Sequence, residues 1–447
     1  MFRIFIILFM CFMYIFISIT SSNHLTGIHN IISLIVFFSM VFTLQRGKMS
    51  LCLTLFSLGI IIHFFNDARG INLIEGINQN LPLLAVLLLV PLLTIPLNRE
   101  GIINAISDYL LSIQKNNKNS YNILSILLII LSPILNMGAI KVVHSISNHL
   151  SMSPKLLSKA YFSGFTPTVI WSPFFSSVGI VLYWLNMKYI SYLAVGAGFA
   201  LIQIGIGISL LNVTSIKNGN GNENNNYINK KNQLYKNKFW YLIIFVIGLI
   251  LLLLIMEKLI NKPILLLVCL ICICVPVAWI IIRKQWFIIY EEYKKYKTNL
   301  LIGSKTEISL FLSAGIFGNA LSESNLVKFV EIPLYWSANY SILTLFMFII
   351  TFVTLMAFLG VHQIIIIPLI IFLLNQSGVN YNPLSLAFIC IFSWMFSAAI
   401  SPLNVMNIVI SESLNKNGFV TAFKWNGTYF FILLLAAFIY VLILNIL

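Results

Sequence analysis

The sequence predicts an all-α polytopic membrane protein with about 11 transmembrane helices and two re-entrant hairpins in an inverted-topology repeat. Three observations carry this prediction. Of the 447 residues, 60% are hydrophobic and only 9% are charged, and the mean hydropathy is +0.97. Apolar segments of about 20 residues, the length that crosses a bilayer, follow one another along nearly the whole chain. Two of them are each interrupted by a Ser-Pro pair that begins 18 residues after a helix-starting proline.

Eleven apolar segments fit single spans. They cover residues 4–20, 24–44, 50–65, 82–97, 155–185, 189–212, 239–256, 263–282, 308–321, 383–412 and 427–447. Two further segments, 121–150 and 338–375, are too long for one helix and carry polar or glycine residues near their middles. We expect each to form helix, irregular tip and helix, with both ends on one side of the membrane. The tips are predicted at 132–138 and 358–363.

The basic residues predict the orientation, because cytoplasmic loops are enriched in Lys and Arg. With a cytoplasmic N-terminus, most Lys and Arg residues fall in inner loops or at inner span ends. The outer side keeps only Arg69, Lys188, Lys258, Lys262 and Lys328. Treating either hairpin as one ordinary span would invert every later loop and weaken this asymmetry. The expected protein is therefore multi-pass in the cell membrane. Its first apolar stretch is expected to be an uncleaved helix, since no clear small-residue cleavage site follows it.

This layout divides the chain into an extra N-terminal helix (1–23), a first repeat (24–212), a cytoplasmic linker (213–238) and a second repeat (239–447). The first hairpin enters from the cytoplasm and the second from outside, and the two interrupted helices run in opposite directions. Such inverted repeats are typical of secondary transporters. The linker is poor in apolar residues, which favours disorder. A second polar stretch, 283–306, is expected to lie on the membrane surface as an amphipathic helix.

The two Ser-Pro pairs carry the strongest functional signal. A proline inside a helix removes a backbone hydrogen bond, and lipid cannot satisfy the freed carbonyl. Paired breaks in corresponding halves point to the substrate site of a secondary transporter. We predict that Ser172, Pro173, Ser401 and Pro402 bind the coupling ion and that Asn404 binds substrate. Ordinary interhelical hydrogen bonding is the alternative role of the two serines.

The predicted tips supply the remaining candidates, since ionisable groups at membrane depth are expensive and usually functional. Lys141 would pair with an anionic substrate, or alternatively extend to the interface. His362 would bind substrate, carry a proton or bond a backbone carbonyl. Gln363 takes the place of Lys141 when Gly138 is aligned with Gly360. The full predicted substrate-binding set is Asn136, Gly138, Lys141, Gly360, His362, Gln363 and Asn404.

Other functional classes find little support in the residues. The formal charge of +15 does not indicate nucleic-acid binding, because the basic residues lie mostly in loops facing one side. Cys269, Cys272 and Cys274 lie in an apolar run without nearby His, Asp or Glu, so no metal site is expected. There is no nucleophile-elbow serine, phosphate loop or metal-spaced His pair, so no enzyme is expected. Asp108 and Glu323 are expected to be solvated. No cofactor is expected, and Na⁺ is a candidate coupling ion.

The order of elements and the segment 314–326, Ala-Gly-Ile-Phe-Gly-Asn-Ala-Leu-Ser-Glu-Ser-Asn-Leu, resemble the ion transporter superfamily, which includes the divalent anion:sodium symporters. The resemblance covers about 24–447. In that family the hairpin tips carry Ser-Asn-Thr, whereas here they read Asn136-Met137-Gly138 and Leu359-Gly360-Val361-His362. The resemblance therefore implies cation binding by backbone carbonyls more than dicarboxylate recognition. It also implies a homodimer and an elevator-like movement.

The sequence as a whole predicts a secondary active transporter that imports or exchanges a small anion, coupled to Na⁺ or H⁺. Two alternatives stay open. A cation/proton antiporter would be expected to carry an acidic pair at the membrane midplane, which the sequence lacks. A membrane-embedded glycan ligase or polymerase would be expected to have a large outer loop with Arg, His or Glu, and the outer loops here are short. The expected partners are the substrate anion, the lipid bilayer and a second copy of the chain.

Overall fold

The computed structural model describes residues 2–20, 22–102, 105, 117–147, 152–213, 229–322, 324, 328–376, 378–379 and 381–446. These ranges contain helices and connecting turns but no β-strand. The α-helices are α1 (Phe2–Thr20), α2 (Thr26–Val41), α3 (Arg46–Phe65), α4 (Leu81–Leu89), α5 (Thr94–Arg99), α6 (Asn117–Leu135), α7 (Gly138–Ser147), α8 (Pro154–Trp171), α9 (Ser176–Trp184), α10 (Tyr189–Val213), α11 (Asn229–Ile260), α12 (Ile264–Ile282), α13 (Ile288–Gly303), α14 (Lys305–Ser322), α15 (Lys328–Tyr340), α16 (Ile342–Phe358), α17 (Gln363–Gln376), α18 (Pro383–Ile400), α19 (Val405–Ser413) and α20 (Trp425–Ile446).

The protein is an all-α polytopic membrane protein. Ten helical segments in the described residues are long and apolar enough to cross a bilayer. Nine of them correspond to predicted spans, and the tenth, Lys118–Leu135, is the first arm of the first predicted hairpin. Two predicted spans do not reach that length and composition. The segment 24–44 forms the 16-residue helix α2. The segment 308–321 lies in α14, whose apolar run is diluted by Lys305, Glu307 and Asn319.

The backbone forms two compact units. The first unit comprises Met1–Leu93, Ile260–Asn339 and Ile364–Val379, and the second comprises Thr94–Leu259, Tyr340–Gln363 and Asn380–Leu447. Each unit therefore takes segments from both halves of the chain.

The first unit is built around the pairing of α3 with α14. Gly59 allows this close approach, because a Cβ atom there would lie 2.9 Å from the backbone nitrogen of Phe317. Polar contacts tie the connection between α3 and α4 to the helices. The His63 ring nitrogen Nε2 lies 3.3 Å from the Glu75 carbonyl oxygen, and Asn78 donates to Asn30 Oδ1 at 2.8 Å. Small residues at contacts and side-chain hydrogen bonds are what hold helices together in lipid, where apolar burial gives no driving force.

The second unit contains both interrupted helices. Helix α8 packs between α6 and α10, and α18 packs against α16 and α20. Gly164 sets the spacing of α6 and α8, since a Cβ atom there would lie 2.6 Å from the Ser125 carbonyl oxygen. Glu257 fixes the start of α10, accepting hydrogen bonds from the backbone N–H groups of Tyr189 at 2.6 Å and Ile190 at 3.1 Å. A buried carboxylate at a helix N-terminus is favoured by the helix dipole.

The two interrupted helices have the same layout. Helix α8 has 18 residues, and after the break at Ser172–Phe175 the helix α9 has 9 residues. Helix α18 has 18 residues, and after the break at Ser401–Asn404 the helix α19 has 9 residues. Each landmark of the second copy lies 229 residues after its counterpart in the first.

The ends of the two copies also match. A Ser or Asn side chain caps each start, where Ser153 accepts from Leu156 N–H and Asn382 accepts from Leu384 N–H. Each copy ends in an asparagine in the left-handed region, Asn186 with φ 50° and Asn415 with φ 53°. Asparagine tolerates this conformation better than most residues and is a common helix stop. Caps, break and stop therefore recur at the same spacing in the two interrupted helices.

Several polar stretches named above fall partly outside the described residues. Helix α11 begins at Asn229, inside the predicted linker 213–238, whose residues 214–228 lie outside the described ranges. Asp108 and Glu323 also lie outside them. The predicted surface segment 283–306 contains α13.

Candidate functional site

The second tip and the second break come together within the second unit. Gly360 lies at the tip with φ 85°, a left-handed conformation that glycine adopts without cost. The side chain of Leu403 in the break lies 3.8 Å from the position that a Cβ atom would take at Gly360. Ser401 donates a hydrogen bond to the Ala357 carbonyl at 2.8 Å. Two predicted site residues far apart in the chain are therefore neighbours.

Gln363 is the centre of a hydrogen-bond chain across this site. The side chain is fully buried, donates to Ser397 Oγ at 2.9 Å and accepts from Asn404 Nδ2 at 3.0 Å. Asn404 in turn accepts from the backbone N–H of Met406 at 3.1 Å and so caps α19. The chain of bonds connects the last residue of the tip, the last turn of α18 and the start of α19.

Both breaks are built on the same serine-centred turn. The backbone N–H of Ser172 donates to Thr168 O at 3.0 Å, and that of Ser401 donates to Ser397 O at 3.0 Å. Each serine Oγ accepts from the N–H two residues later, from Phe174 at 3.4 Å and from Leu403 at 3.3 Å. Serine is suited to this position because its hydroxyl satisfies an N–H that the helix no longer uses.

The carbonyls at the end of α8 are all hydrogen-bonded. Three of them accept from hydroxyl groups: Val169 O from Ser177 at 2.6 Å, Ile170 O from Tyr192 at 3.1 Å, and Trp171 O from Tyr189 at 2.9 Å. Thr168 O accepts from Ser172 N–H. A helix C-terminus leaves four carbonyls without intrahelical partners, and buried ones need others. At the first break the protein supplies them all.

The end of α18 differs from this pattern. Ile400 O accepts from Asn407 Nδ2 at 3.3 Å, whereas no hydrogen bond to the carbonyl of Ala398 or Ala399 occurs among the described residues. Pro402 has no N–H to give to Ala398, and the Leu403 N–H is used by Ser401 Oγ. Two helix-end carbonyls at the second break, those of Ala398 and Ala399, thus have no hydrogen-bond donor in the part of the chain that the structure describes.

The residue types explain the difference between the breaks. The positions 229 residues after Ser177, Tyr189 and Tyr192 hold Met406, Gly418 and Thr421. Methionine and glycine have no hydroxyl to donate. Thr421 uses its hydroxyl elsewhere, within 3.2 Å of Asn407 Oδ1 and 3.0 Å of Gly418 O.

A buried polar network stands behind the second break. Asn407 donates to both Ile400 O and Gly418 O at 3.3 Å, and Asn426 donates to Ser158 Oγ at 2.9 Å and Thr421 O at 2.7 Å. Thr421 of this network lies in a π-helical segment, Val420–Lys424. Such segments often occur at functional sites. These contacts hold the break in place and give Asn407 an anchoring role.

The two breaks also differ in burial. Ser172, Pro173, Phe174 and Phe175 are all buried, so the first break is closed by aromatic side chains. At the second break Leu403 is 57% exposed, and Pro402 and Asn404 are half-buried. The second break is therefore the accessible one.

The first tip turns at Asn136, which has φ 50°, and Gly138 begins α7 without a positive φ. The structural counterpart of Gly360 is thus Asn136, which differs from the alignment of Gly138 with Gly360. Lys141 is exposed on α7. His144, one turn later, lies 2.9 Å from the Tyr161 hydroxyl of α8, so it anchors α7 to the interrupted helix.

His362 lies just before Gln363 at the second tip. Its ring is half-buried and makes an edge contact with Trp394 of α18, with ring centroids 6.0 Å apart. The imidazole thus lies beside the same face of α18 that carries Ser397 and Ser401.

The structure brings together four predicted site residues, Gly360, Gln363, Ser401 and Asn404, within one hydrogen-bonded neighbourhood. Ser397 belongs to it as well, and the sequence reasoning missed it. The available signal was its spacing, because residues four apart lie on the same helix face. The hydroxyl caps from Tyr189 and Tyr192 were also missed, since nothing in the sequence links them to carbonyls some 20 residues earlier.

No protein-family model matches the chain, and no curated protein matches its sequence.

Proposed function

We propose that this protein is a secondary active transporter that moves a small anion across the membrane, driven by Na⁺ or H⁺. The observation that carries the proposal is the pair of interrupted helices with identical 18-residue and 9-residue parts. Broken helices at membrane depth are tolerated only where protein or a water-filled cavity takes over the freed backbone groups. Two of them in repeat positions are typical of a transporter binding site.

The proposed topology has a cytoplasmic N-terminus, two re-entrant hairpins and an inverted repeat in the cell membrane. The distribution of Lys and Arg supports it. The contacts of Glu257 support it too, because they put the end of α11 beside the start of α10, as expected for two successive antiparallel spans. In an elevator-like mechanism one compact body carries the site, and we assign that role to the second unit, which holds both breaks. The homodimer implied by the family resemblance is part of this proposal.

We assign the coupling cation to the second break. The carbonyls of Ala398 and Ala399 end α18 without hydrogen bonds from the described residues, and helix C-termini carry partial negative charge. Hard cations such as Na⁺ take oxygen ligands. The first break, with its helix-end carbonyls bonded to hydroxyl groups, is a poorer cation site, although Ser172 and Pro173 occupy the matching positions.

The substrate would bind beside this cation, at the second tip. His362, Gln363 and Asn404 supply ring nitrogens and amide groups there. The amides of Gln363 and Asn404 are bonded to one another, so an entering anion would exchange that bond for its own. Lys141 on α7 is the candidate cationic partner from the first tip.

The test is thermal stabilisation of the purified protein by Na⁺, with K⁺ as the control, across small carboxylates, sulfate and phosphate. A ligand at 100 times its Kd stabilises the folded state by about 2.7 kcal/mol. We expect a Na⁺-dependent shift with one class of anion, followed by uptake of that anion into proteoliposomes under a Na⁺ gradient. Proton coupling would instead give uptake driven by a pH gradient.

Two variants test the site itself. Ser401→Ala and Lys141→Ala, each shown to be folded and inserted, are expected to lose uptake. Normal uptake by both variants would contradict the site assignment. A folded wild-type protein that is stabilised by no cation or anion would contradict the transporter proposal.

A further inference from the structure

A cavity lies in the second unit, away from the tips. It has a volume of about 170 Å³ and is walled by α6, α8, α10 and α20. Its polar lining consists of Tyr121, Lys159, Ser163, Trp425, Asn426, Thr428 and Tyr429. Lys159 lies 13 residues before Ser172 on α8, which is about 20 Å along a helix. The cavity therefore lies away from the first break, and its lining residue Asn426 bonds to Thr421 in the polar network beside the second break.

The charged side chain that lines the cavity is a lysine, Lys159. Lys159 is half-buried, makes no ion pair or hydrogen bond with the described residues, and is the only charged side chain among the described residues that line the cavity. Trp425 and Thr428 offer an indole N–H and a hydroxyl that are also unbonded to described residues. Lys155 lies one turn earlier on α8, and Lys424 precedes Trp425 in the chain, and both are exposed. A partly desolvated cation with neighbouring donors fits a negatively charged oxygen group.

A mostly apolar groove continues from the cavity. It shares Tyr121 and Ser163 with the cavity, and its apolar lining consists of Ile126, Ile129, Ile204 and Ile208. Ile126 is 48% exposed and Ile208 is 41% exposed on helices that are long and apolar enough to span the membrane. The groove thus opens on a surface that meets lipid chains. A 2.7 Å hydrogen bond joins Tyr121 to Ser163, and both side chains line the cavity as well as the groove.

We propose that the cavity and groove together bind an anionic phospholipid, with the phosphate-bearing headgroup at Lys159 and one acyl chain along Ile126, Ile129 and Ile204. Basic pockets between transmembrane helices are suited to anionic headgroups. Tryptophan commonly lies at the level of the headgroups, as Trp425 does here at the start of α20. In the proposed topology the lipid belongs to the cytoplasmic leaflet, because α8 begins on that side.

The experiment measures lipid binding to the purified full chain in detergent, by native mass spectrometry and by melting temperature. The probes are phosphatidylglycerol, phosphatidylcholine with the same acyl chains, and inorganic phosphate. We expect retained, stabilising phosphatidylglycerol, weaker phosphatidylcholine and no shift with phosphate alone. Removing one lysine near an anionic lipid should weaken binding about fivefold.

The variants test the contacts of the lipid headgroup and of the acyl chain separately. Lys159→Gln is expected to show that fivefold loss and Lys159→Arg to restore most of it. Ile208→Trp, which fills the groove from its exposed side, is expected to lower lipid occupancy without removing the charge. The matched control is Lys188→Gln, an exposed lysine beyond the opposite end of α10, which should bind lipid like the wild type. Unchanged binding in both Lys159→Gln and Ile208→Trp would overturn the proposal. So would equal binding of phosphatidylcholine, or a full shift with phosphate alone, which would make this a soluble-anion site.

Discussion

Asn404 donates a hydrogen bond to Gln363 at 3.0 Å, and this contact joins the second break to the second tip. Asn404 caps α19 and Gln363 begins α17, so the bond holds two helix starts together. Side-chain hydrogen bonds between membrane helices are individually modest, at about 0.6 kcal/mol on average. Their value here is positional, because they fix the residues around the open carbonyls of α18.

The Gln363–Asn404 contact predicts energetic coupling. In a double-mutant cycle of Gln363→Ala and Asn404→Ala, we expect a coupling of about 1 kcal/mol in the free energy of unfolding, since the pair shares one bond within a network. The measurement is unfolding in a detergent–denaturant titration. Gln376→Ala, an exposed glutamine on the same helix, provides the control and should show no coupling with Asn404→Ala. Strict additivity of the Gln363 and Asn404 changes would contradict the prediction.

The proposed cation site predicts an effect of one added hydroxyl. Met406 occupies the place where Ser177 donates to the first-break carbonyl Val169 O. Met406→Ser should donate to the open carbonyl of Ala398 and abolish stabilisation by Na⁺. Met406→Ala leaves a similar cavity, costing about 2–5 kcal/mol, but adds no donor. It should therefore keep the Na⁺ response at lower overall stability. Equal Na⁺ responses in the two variants would move the cation away from this carbonyl.

The cap by Glu257 predicts a cost for a nearly isosteric change. Glu257→Gln replaces one accepting oxygen with an NH₂ group, so the N–H of Tyr189 or Ile190 loses its partner. We expect the unfolding free energy to fall by about 1–3 kcal/mol. Glu412→Gln, at an exposed glutamate on α19, is the control for loss of one negative charge and should leave the melting temperature unchanged. Similar melting curves for both variants would show that the cap is dispensable.

Alanine substitution is expected to have opposite effects at two glycines, Gly164 in the contact of α6 with α8 and Gly205 on α10. A Cβ atom at Gly164 would lie 2.6 Å from the Ser125 carbonyl oxygen, and because this oxygen belongs to the backbone of α6, the helices must separate. Gly164→Ala should destabilise the protein by about 1–3 kcal/mol, as overpacking does. Gly205 on α10 has no atom within 4 Å of its Cβ position. Gly205→Ala should be neutral or slightly stabilising, because alanine favours helix. The measurement is the melting temperature of each variant in the same detergent. Equal melting temperatures for Gly164→Ala and Gly205→Ala would contradict the prediction.

The sequence by itself determined that the chain is an all-α membrane protein, where its long helices lie, and where two of them break. Length, apolar composition and proline act locally, so they can be read without knowing the fold. The matched spacing of Ser172 and Ser401 from their helix-starting prolines, and the lengths of the helices that they end, are also local properties of the sequence. Two of the predicted spans do not form long apolar helices, because α2 has 16 residues and α14 carries polar residues.

Only the tertiary structure decided which break is open. Tyr189 and Tyr192 close the helix end at Trp171 and Ile170, and no local pattern links those residues. The tertiary structure likewise brought Gln363 to Ser397 and Asn404, and it left Lys141 exposed on α7. A proline in the sequence shows that a carbonyl is freed, but the partner of that carbonyl depends on which helices pack beside it. Hydrogen-bond satisfaction across helices is a property of packing, and packing is decided by the whole chain.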